Sequence, residues 1–196
     1  MQHTNSTLDH STDAARVFFA LWPDKKGSTA LFTLGEQMQR TCGGRVMRRE
    51  ALHLTLLFLG EVPRQRLPDL LDAANQVHGM GFHLRLEEFS CWPHNRIGYL
   101  APTELPAELG ALSAALRQQV AAAGFAFDAR AFCPHVTLLR NVASPIMRFP
   151  VSPLDWRVRE FALVESVPAA TGQHYQELKA WPLGQRFPAD AEAGSG

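Results

Sequence analysis

Three observations predict an α+β fold. Strand-like apolar runs outnumber helical ones, and only three stretches carry helical periodicity. The two halves of the chain also repeat one arrangement, a long helix together with a strand bearing His-x-Thr-Leu-Leu. Strands and helices do not alternate in the regular way that a doubly wound parallel sheet requires.

Arg16 to Trp22 is a short apolar run stopped by Pro23-Asp24, the signal of a buried strand. Leu31, Leu34 and Met38 then recur at helical spacing within Thr29 to Gln39. Ala51 to Leu59 predicts a strand closed by Gly60-Glu61, and Leu67, Leu70, Leu71, Ala74 and Val77 predict a helix ending near Gly79. Phe82 to Phe89 and Arg96 to Ala101 predict two strands. Leu105, Leu109, Leu112, Leu116 and Val120 form an amphipathic helix stopped at Gly124. Phe132 to Leu139 follows as a strand, with Pro134 tolerated near its start. Trp156 to Glu165 and His174 to Trp181 complete the list. Residues 1–14 and 187–196, rich in small and polar residues, are expected to be a disordered tail and a loose end around one domain over 15–186.

A chain of 196 residues buries a sizeable core as one large domain or two intimate lobes. Nineteen basic residues balance nineteen acidic ones, so no global positive field draws in long duplex DNA. A small substrate or the end of an RNA strand fits that balance better. The three cysteines, Cys42, Cys91 and Cys133, have no metal-ligand spacing, and an odd count argues against a disulfide framework. A reducing, cytoplasmic setting is expected. The first fifteen residues lack the apolar core of a signal peptide, and no apolar run approaches the roughly 18 residues of a membrane span.

The chemistry lies in His53-Leu54-Thr55 and His135-Val136-Thr137. A lone triplet of this kind means little, and His10-Ser11-Thr12 in the polar tail is a third that carries no context. The other two each sit in an apolar strand and each continue with Leu-Leu. Alternation along a strand puts His53 with Thr55, and His135 with Thr137, on one face and apolar residues behind them. Two such strands side by side line a cleft with two imidazoles and two hydroxyls. Near neutral pH, a neutral imidazole can take a proton from water attacking phosphorus while a protonated one supplies the departing ribose oxygen. Threonine hydroxyls can hold the non-bridging oxygens. The bland alternative is a packing histidine followed by threonine, which is the usual reading of one copy; two copies with matching tails favour function. Zinc is a rival use of histidine, but no H-x-H, H-E-x-x-H or C-x-x-C occurs, and no metal is expected.

These residues resemble the bacterial and archaeal RNA 2′,3′-cyclic phosphodiesterases, also called 2′-5′ RNA ligases, of the two-histidine phosphoesterase superfamily. The resemblance covers roughly residues 16 to 183. It rests on Arg16 to Leu21, Leu52 to Glu61, Arg130 to Arg140, Phe161 to Ser166, and Tyr175 through Leu183. It implies a bilobal α+β fold with two antiparallel sheets flanking a central cleft and helices outside. It also implies hydrolysis of an RNA 2′,3′-cyclic phosphate to a 2′-phosphomonoester without cofactor, with ligation as a secondary reverse reaction. Carried over by position, His53 is the proton donor, His135 the proton acceptor, and Thr55 and Thr137 bind phosphate.

Arg140 matches a family arginine that would bind the same phosphate, yet strand parity sets it opposite His135 and Thr137, which also allows a surface ion pair. Cys133 is expected to be a buried thiol. Arg45, Arg48 and Arg49 precede the first motif as either RNA contacts or a solvated edge. Trp92, Tyr99 and Phe58 are base-stacking candidates, with core packing the expected role. The partners implied are RNA ends with a cyclic phosphate, or small cyclic nucleotides, met by a monomer away from membranes. Two alternatives stand beside this: a phosphodiesterase for another cyclic nucleotide or a 2′-5′ oligonucleotide, and a non-catalytic module that binds RNA ends.

Overall fold

A computed structural model describes residues 13–169 and 172–184, so most of the predicted tail, with His10-Ser11-Thr12, and the predicted loose end at 187–196 lie outside the described residues. Among the described residues, nine strands and three α-helices follow one another in the order β1 (Ala14–Leu21), α1 (Lys25–Cys42), β2 (Arg45–Val46), β3 (Leu54–Pro63), α2 (Leu67–Asn75), β4 (Phe82–Trp92), β5 (Ile97–Ala101), α3 (Ala107–Ala122), β6 (Val136–Arg140), β7 (Phe149–Val158), β8 (Glu160–Ala169) and β9 (Gly172–Pro182).

Every strand-to-strand ladder is antiparallel, and the sheet runs β7-β4-β5-β6-β3-β1-β8-β9, with β2 added beside β6. The expected α+β class and paired antiparallel halves are both present. One half is β7-β4-β5-β6 and the other β3-β1-β8-β9, and a single register pair, Leu54↔Val136, joins them. Beyond that pair β6 leaves β3 and takes β2 as its neighbour, through Val46↔Leu139 and Arg45↔Arg140. The halves therefore part just where the two motifs lie.

Helix α1 starts early because Asp24 caps it, accepting a bond from the Gly27 N–H at 2.6 Å. It ends where the Gly43 N–H, at φ +68°, donates back to the Gln39 carbonyl. Its buried stripe, Leu31, Gly35 and Met38, rests on β6 and β2. A β-carbon on Gly35 would meet Val46 at 3.1 Å and Leu138 at 3.7 Å, so the helix approaches closely there. Helix α3 buries Leu109, Leu112, Leu116 and Val120, as the periodicity predicts. Leu105 departs from that prediction: it precedes the helix and is 51% exposed. The Ser113 hydroxyl of α3 donates to the Leu56 carbonyl of β3, so each H-x-T strand is backed by one helix. Removing a buried leucine such as Leu112 or Leu116 would cost about 2–5 kcal/mol.

The predicted strand Trp156 to Glu165 is two strands. The chain breaks at Arg159 and crosses from β7 at one end of the sheet to β8 in the other half. Trp156, Val158, Phe161 and Leu163 are all buried, so hydropathy runs on across a turn that contains neither glycine nor proline.

Candidate active site

The two H-x-T strands begin at Leu54 and Val136, three and four residues later than the sequence predicts, so His53 and His135 stand at strand mouths, each immediately before a member of the Leu54↔Val136 pair. Because the pairing is antiparallel, a step back on β3 matches a step forward on β6. His53 thus lies across from Thr137, and Thr55 across from His135. The alternation inferred from sequence holds: Leu54, Leu56, Val136 and Leu138 are buried behind, while the histidines and threonines are only partly covered.

The Leu-Leu tails have a structural meaning. On β1, Phe19 pairs with Leu57 and Ala20 with Thr55, leaving Leu56 unmatched. On β5, Gly98 pairs with Leu139 and Tyr99 with Thr137, leaving Leu138 unmatched. Each motif is therefore followed by a β-bulge in which two successive leucines are buried, Leu56 with Leu57 and Leu138 with Leu139. A bulge resets the alternation. Arg140 emerges on the face of His135 and Thr137, against the simple parity argument, and its counterpart Phe58 emerges on the face of His53 and Thr55. Arg140 and Phe58 line one cavity of about 360 Å³ together with His53.

Each imidazole is held alike. His53 Nδ1 lies 2.8 Å from the Ala51 carbonyl oxygen and His135 Nδ1 2.8 Å from that of Cys133. A carbonyl only accepts, so Nδ1–H donates in both rings, and Nε2 is left as the nitrogen that exchanges a proton. Rings complete the hold. His53 has Phe18, Trp22 and Tyr175 each at 5.0 Å between centroids. His135 has Trp92 at 4.6 Å and Tyr99 at 5.7 Å.

Burial among these rings lowers the pKa of both histidines, because an imidazolium there gives up its hydration. For His53 burial is the main cause, the Ala51 bond opposes it, and the charges of His135 and Arg140 add to it; the result is about 4. His135 is also lowered, by burial against the opposing Cys133 bond. Both imidazoles thus favour the neutral form near neutral pH, and the charge of an anion beside Arg140 would oppose that preference.

Trp92 and Tyr99 are partly exposed at the cleft and pack at 4.2 Å beside His135, outside the buried clusters, whereas Phe58 is partly exposed but packs, as expected, against the buried cluster of Phe18, Ala20, Ala162 and Val164. Cys133 is exposed, because it precedes β6 in an irregular segment, which corrects the expectation of a buried thiol. Among the arginines before the first motif, Arg45 and Arg48 line a second cavity of about 310 Å³ with Arg140. Arg48 also donates to the Gln173 carbonyl, whereas Arg49 lies over Phe32 at 5.3 Å. Sequence reasoning missed Phe18, Trp22, Ser166, Gln173 and Tyr175 at the cleft. Phe18 and Trp22 sit at alternate positions in an apolar run whose two faces both looked like core. Among the described residues no three His, Cys, Asp or Glu side chains gather as a metal site.

A model of the LigT-like phosphoesterases matches residues 21–99, which include the first motif. The RNA 2′,3′-cyclic phosphodiesterase of Escherichia coli K12 is 37% identical over 144 residues, 72% of this chain and 81% of that protein. The chain belongs to this phosphoesterase family. The RNA 2′,3′-cyclic phosphodiesterase of Thermus thermophilus is 28% identical over 86% of this chain and 90% of its own. The crystal structure of E. coli LigT complexed with 3′-AMP superposes with a TM-score of 0.80 at 31% identity, covering 87% of this chain and 98% of that one. The two-histidine phosphoesterase fold expected from the sequence is the fold this chain has.

Proposed function

We propose that this member of the family is an RNA 2′,3′-cyclic phosphodiesterase that opens a terminal cyclic phosphate to a 2′-phosphomonoester. The observation that carries the reading is the mirrored placement of two H-x-T motifs about the Leu54↔Val136 pair, with Arg140 brought to the same face by a bulge. The relatives named for this activity support the substrate class.

In the proposed reaction the cyclic phosphate sits between the imidazoles, its non-bridging oxygens on Thr55, Thr137 and Arg140. His135 Nε2 takes a proton from water as its oxygen bonds to phosphorus. The bond from phosphorus to O3′ breaks, and His53 Nε2 supplies that oxygen with a proton, leaving the phosphate on O2′. A histidine held near pKa 4 is a strong acid once charged. The substrate's negative charge, shared with Arg140, offsets the cost of charging it.

The position of Arg140 favours one alternative assignment. Its charge is among the causes that lower His53, to about 4, and is not among those that lower His135, so Arg140 opposes a proton on His53 in particular. A swap of the two roles follows if that bias persists with substrate bound.

Both motifs come from one chain, which supports action as a monomer, and the free thiols support a cytoplasmic setting. Ligation by a 2′-5′ bond is the same step with a 5′-hydroxyl in place of water: its oxygen bonds to phosphorus as the bond to O3′ breaks, and the phosphate stays on O2′. The test is a short oligonucleotide ending in 2′,3′-cyclic phosphate, incubated with purified protein. A 2′-phosphate product is expected; a 3′-phosphate product or no turnover refutes the proposal.

A further inference from the structure

One element of the resemblance has no part in the proposed chemistry: Arg16, which opens β1. Arg16 and Phe18 lie two residues apart and so share a face of the strand. Phe18 packs on His53, so Arg16 stands one strand repeat, roughly 6.5–7 Å, farther from the reacting centre. There its guanidinium carbon lies 5.0 Å over the centroid of the Phe58 ring. Its ion pair with Glu61 is loose, at 3.9 Å, and 53% of the side chain remains exposed. Arg16 and Phe58 line the cavity of about 360 Å³ that contains His53 and Arg140, a volume suited to one nucleoside. At the polar rim of that cavity the Ser166 hydroxyl donates to Gln173 Oε1 at 2.9 Å.

We propose that Arg16, layered on Phe58, is the plane on which the base of the terminal nucleotide stacks, with Ser166 and Gln173 facing the base edge. The inference rests on the proposed hydrolase reading for the position of the phosphate. A guanidinium is flat and weakly hydrated, and it stacks on aromatic rings and on bases alike. The order phosphate, ribose, base then runs from His53 past Phe18 to Arg16. Every base has a π-face, so this platform binds all four and discriminates among them little. The competing role for Arg16 is a surface contact between a cation and a ring, which substrate never touches.

Arg16→Lys separates the two, because lysine keeps the charge and loses the plane. Steady-state kinetics are measured on adenosine 2′,3′-cyclic phosphate and on 1-O-methylribose 2′,3′-cyclic phosphate, which has no base. The variant is expected to raise KM for the nucleotide by about 10-fold, the order of one lost base stack, with kcat within about 2-fold. Its kinetics on the methylriboside should match wild type. Wild-type behaviour on both substrates would overturn the proposal, as would equal damage on both, which marks a phosphate contact or a fold defect. Calorimetric binding of 2′-AMP and ribose 2-phosphate provides a second measurement without turnover. Tighter binding of 2′-AMP, with the gap closed by Arg16→Lys, supports the platform even if wild type hydrolyses neither cyclic phosphate, a result that refutes only the hydrolase reading. Equal wild-type affinity for the two compounds refutes the platform.

Discussion

Gly44 lies so close to Arg140 that a β-carbon at position 44 would stand 2.7 Å from the Arg140 carbonyl oxygen. The residue also holds φ at +95°, where side chains are strained. Gly44 leads into β2, whose Arg45 pairs with Arg140, so its backbone sets the edge against which Arg140 is placed.

Gly44→Ala is therefore expected to displace Arg140 and lower kcat/KM on a cyclic nucleotide toward the value of Arg140→Gln. Loss of one charged contact to the transition state lowers the rate by about 10²-fold. The Tm should fall by several degrees, read by calorimetry. If Gly44→Ala lowered Tm alone while kcat/KM stayed at wild type, Gly44 would not position Arg140.

The resemblance made the α+β architecture of two antiparallel halves and the pair of histidine motifs legible, because order, spacing and flanking residues all carry them. The position of Arg140 was not legible. Strand parity counts residues, and an unmatched Leu138 leaves no mark in hydropathy beyond a second leucine. The same blindness hid the face on which Phe58 emerges, since Leu56 is unmatched on β1. The aromatic hold on His53 was invisible for another reason: rings that enclose a partly buried imidazole have the hydropathy of core residues, so Phe18 and Trp22 read as packing. The crossover at Arg159 joins two apolar strands without a turn residue and read as one strand.

Because burial holds both histidines below their usual pKa, kcat/KM should peak on the acid side of neutrality. This ratio reports the free enzyme, in which one ring must be charged and the other neutral. The bell is bounded below near pH 4 and above at a value under about 6.5, after which it falls up to ten-fold per pH unit. In kcat the alkaline limb should lie at higher pH, since bound phosphate favours the charged ring. Measurements from pH 3.5 to 9, with folding checked by circular dichroism, decide this. A kcat/KM that climbs to a plateau at pH 8 would contradict it.

The same shift makes stability depend on pH. Unfolded His53 titrates near 6.5 and folded His53 near 4, so between these values the unfolded state binds more protons. His53's contribution is fully present above about pH 6.5 and is lost as pH falls toward 4, by at most about 1.4 kcal/mol per pH unit. His53→Asn should flatten part of that slope in urea unfolding between pH 4.5 and 7. An unchanged slope would show that His53 is not the source.

Thr55→Val and Thr137→Val should each reduce turnover, more mildly than loss of a histidine. Removal of one hydrogen-bond donor to a developing charge costs about 10²- to 10³-fold, and less where the facing threonine or Arg140 compensates. Val keeps the branched shape, so Tm should hold. Unchanged kinetics in either variant would assign that hydroxyl to packing.

The roles of the two histidines are open to a leaving-group test. A ribose alkoxide leaves only with a proton, whereas nitrophenolate leaves readily without one. If His53 is the acid, His53→Ala should slow hydrolysis of the cyclic phosphate by about 10²- to 10⁴-fold and regain much of that deficit on an acyclic nitrophenyl phosphodiester. His135→Ala should stay impaired on both, because water must still be activated. Each variant is compared with wild type on the same substrate, which cancels differences in how the two esters bind. The low pKa of His53 gives the test its edge, since a ring held at about 4 is rarely charged near neutral pH. Rescue of His135→Ala alone would mean that His135 is the acid and that the two roles are the reverse of those proposed. Equal rescue of both variants would rule out a fixed division between acid and base.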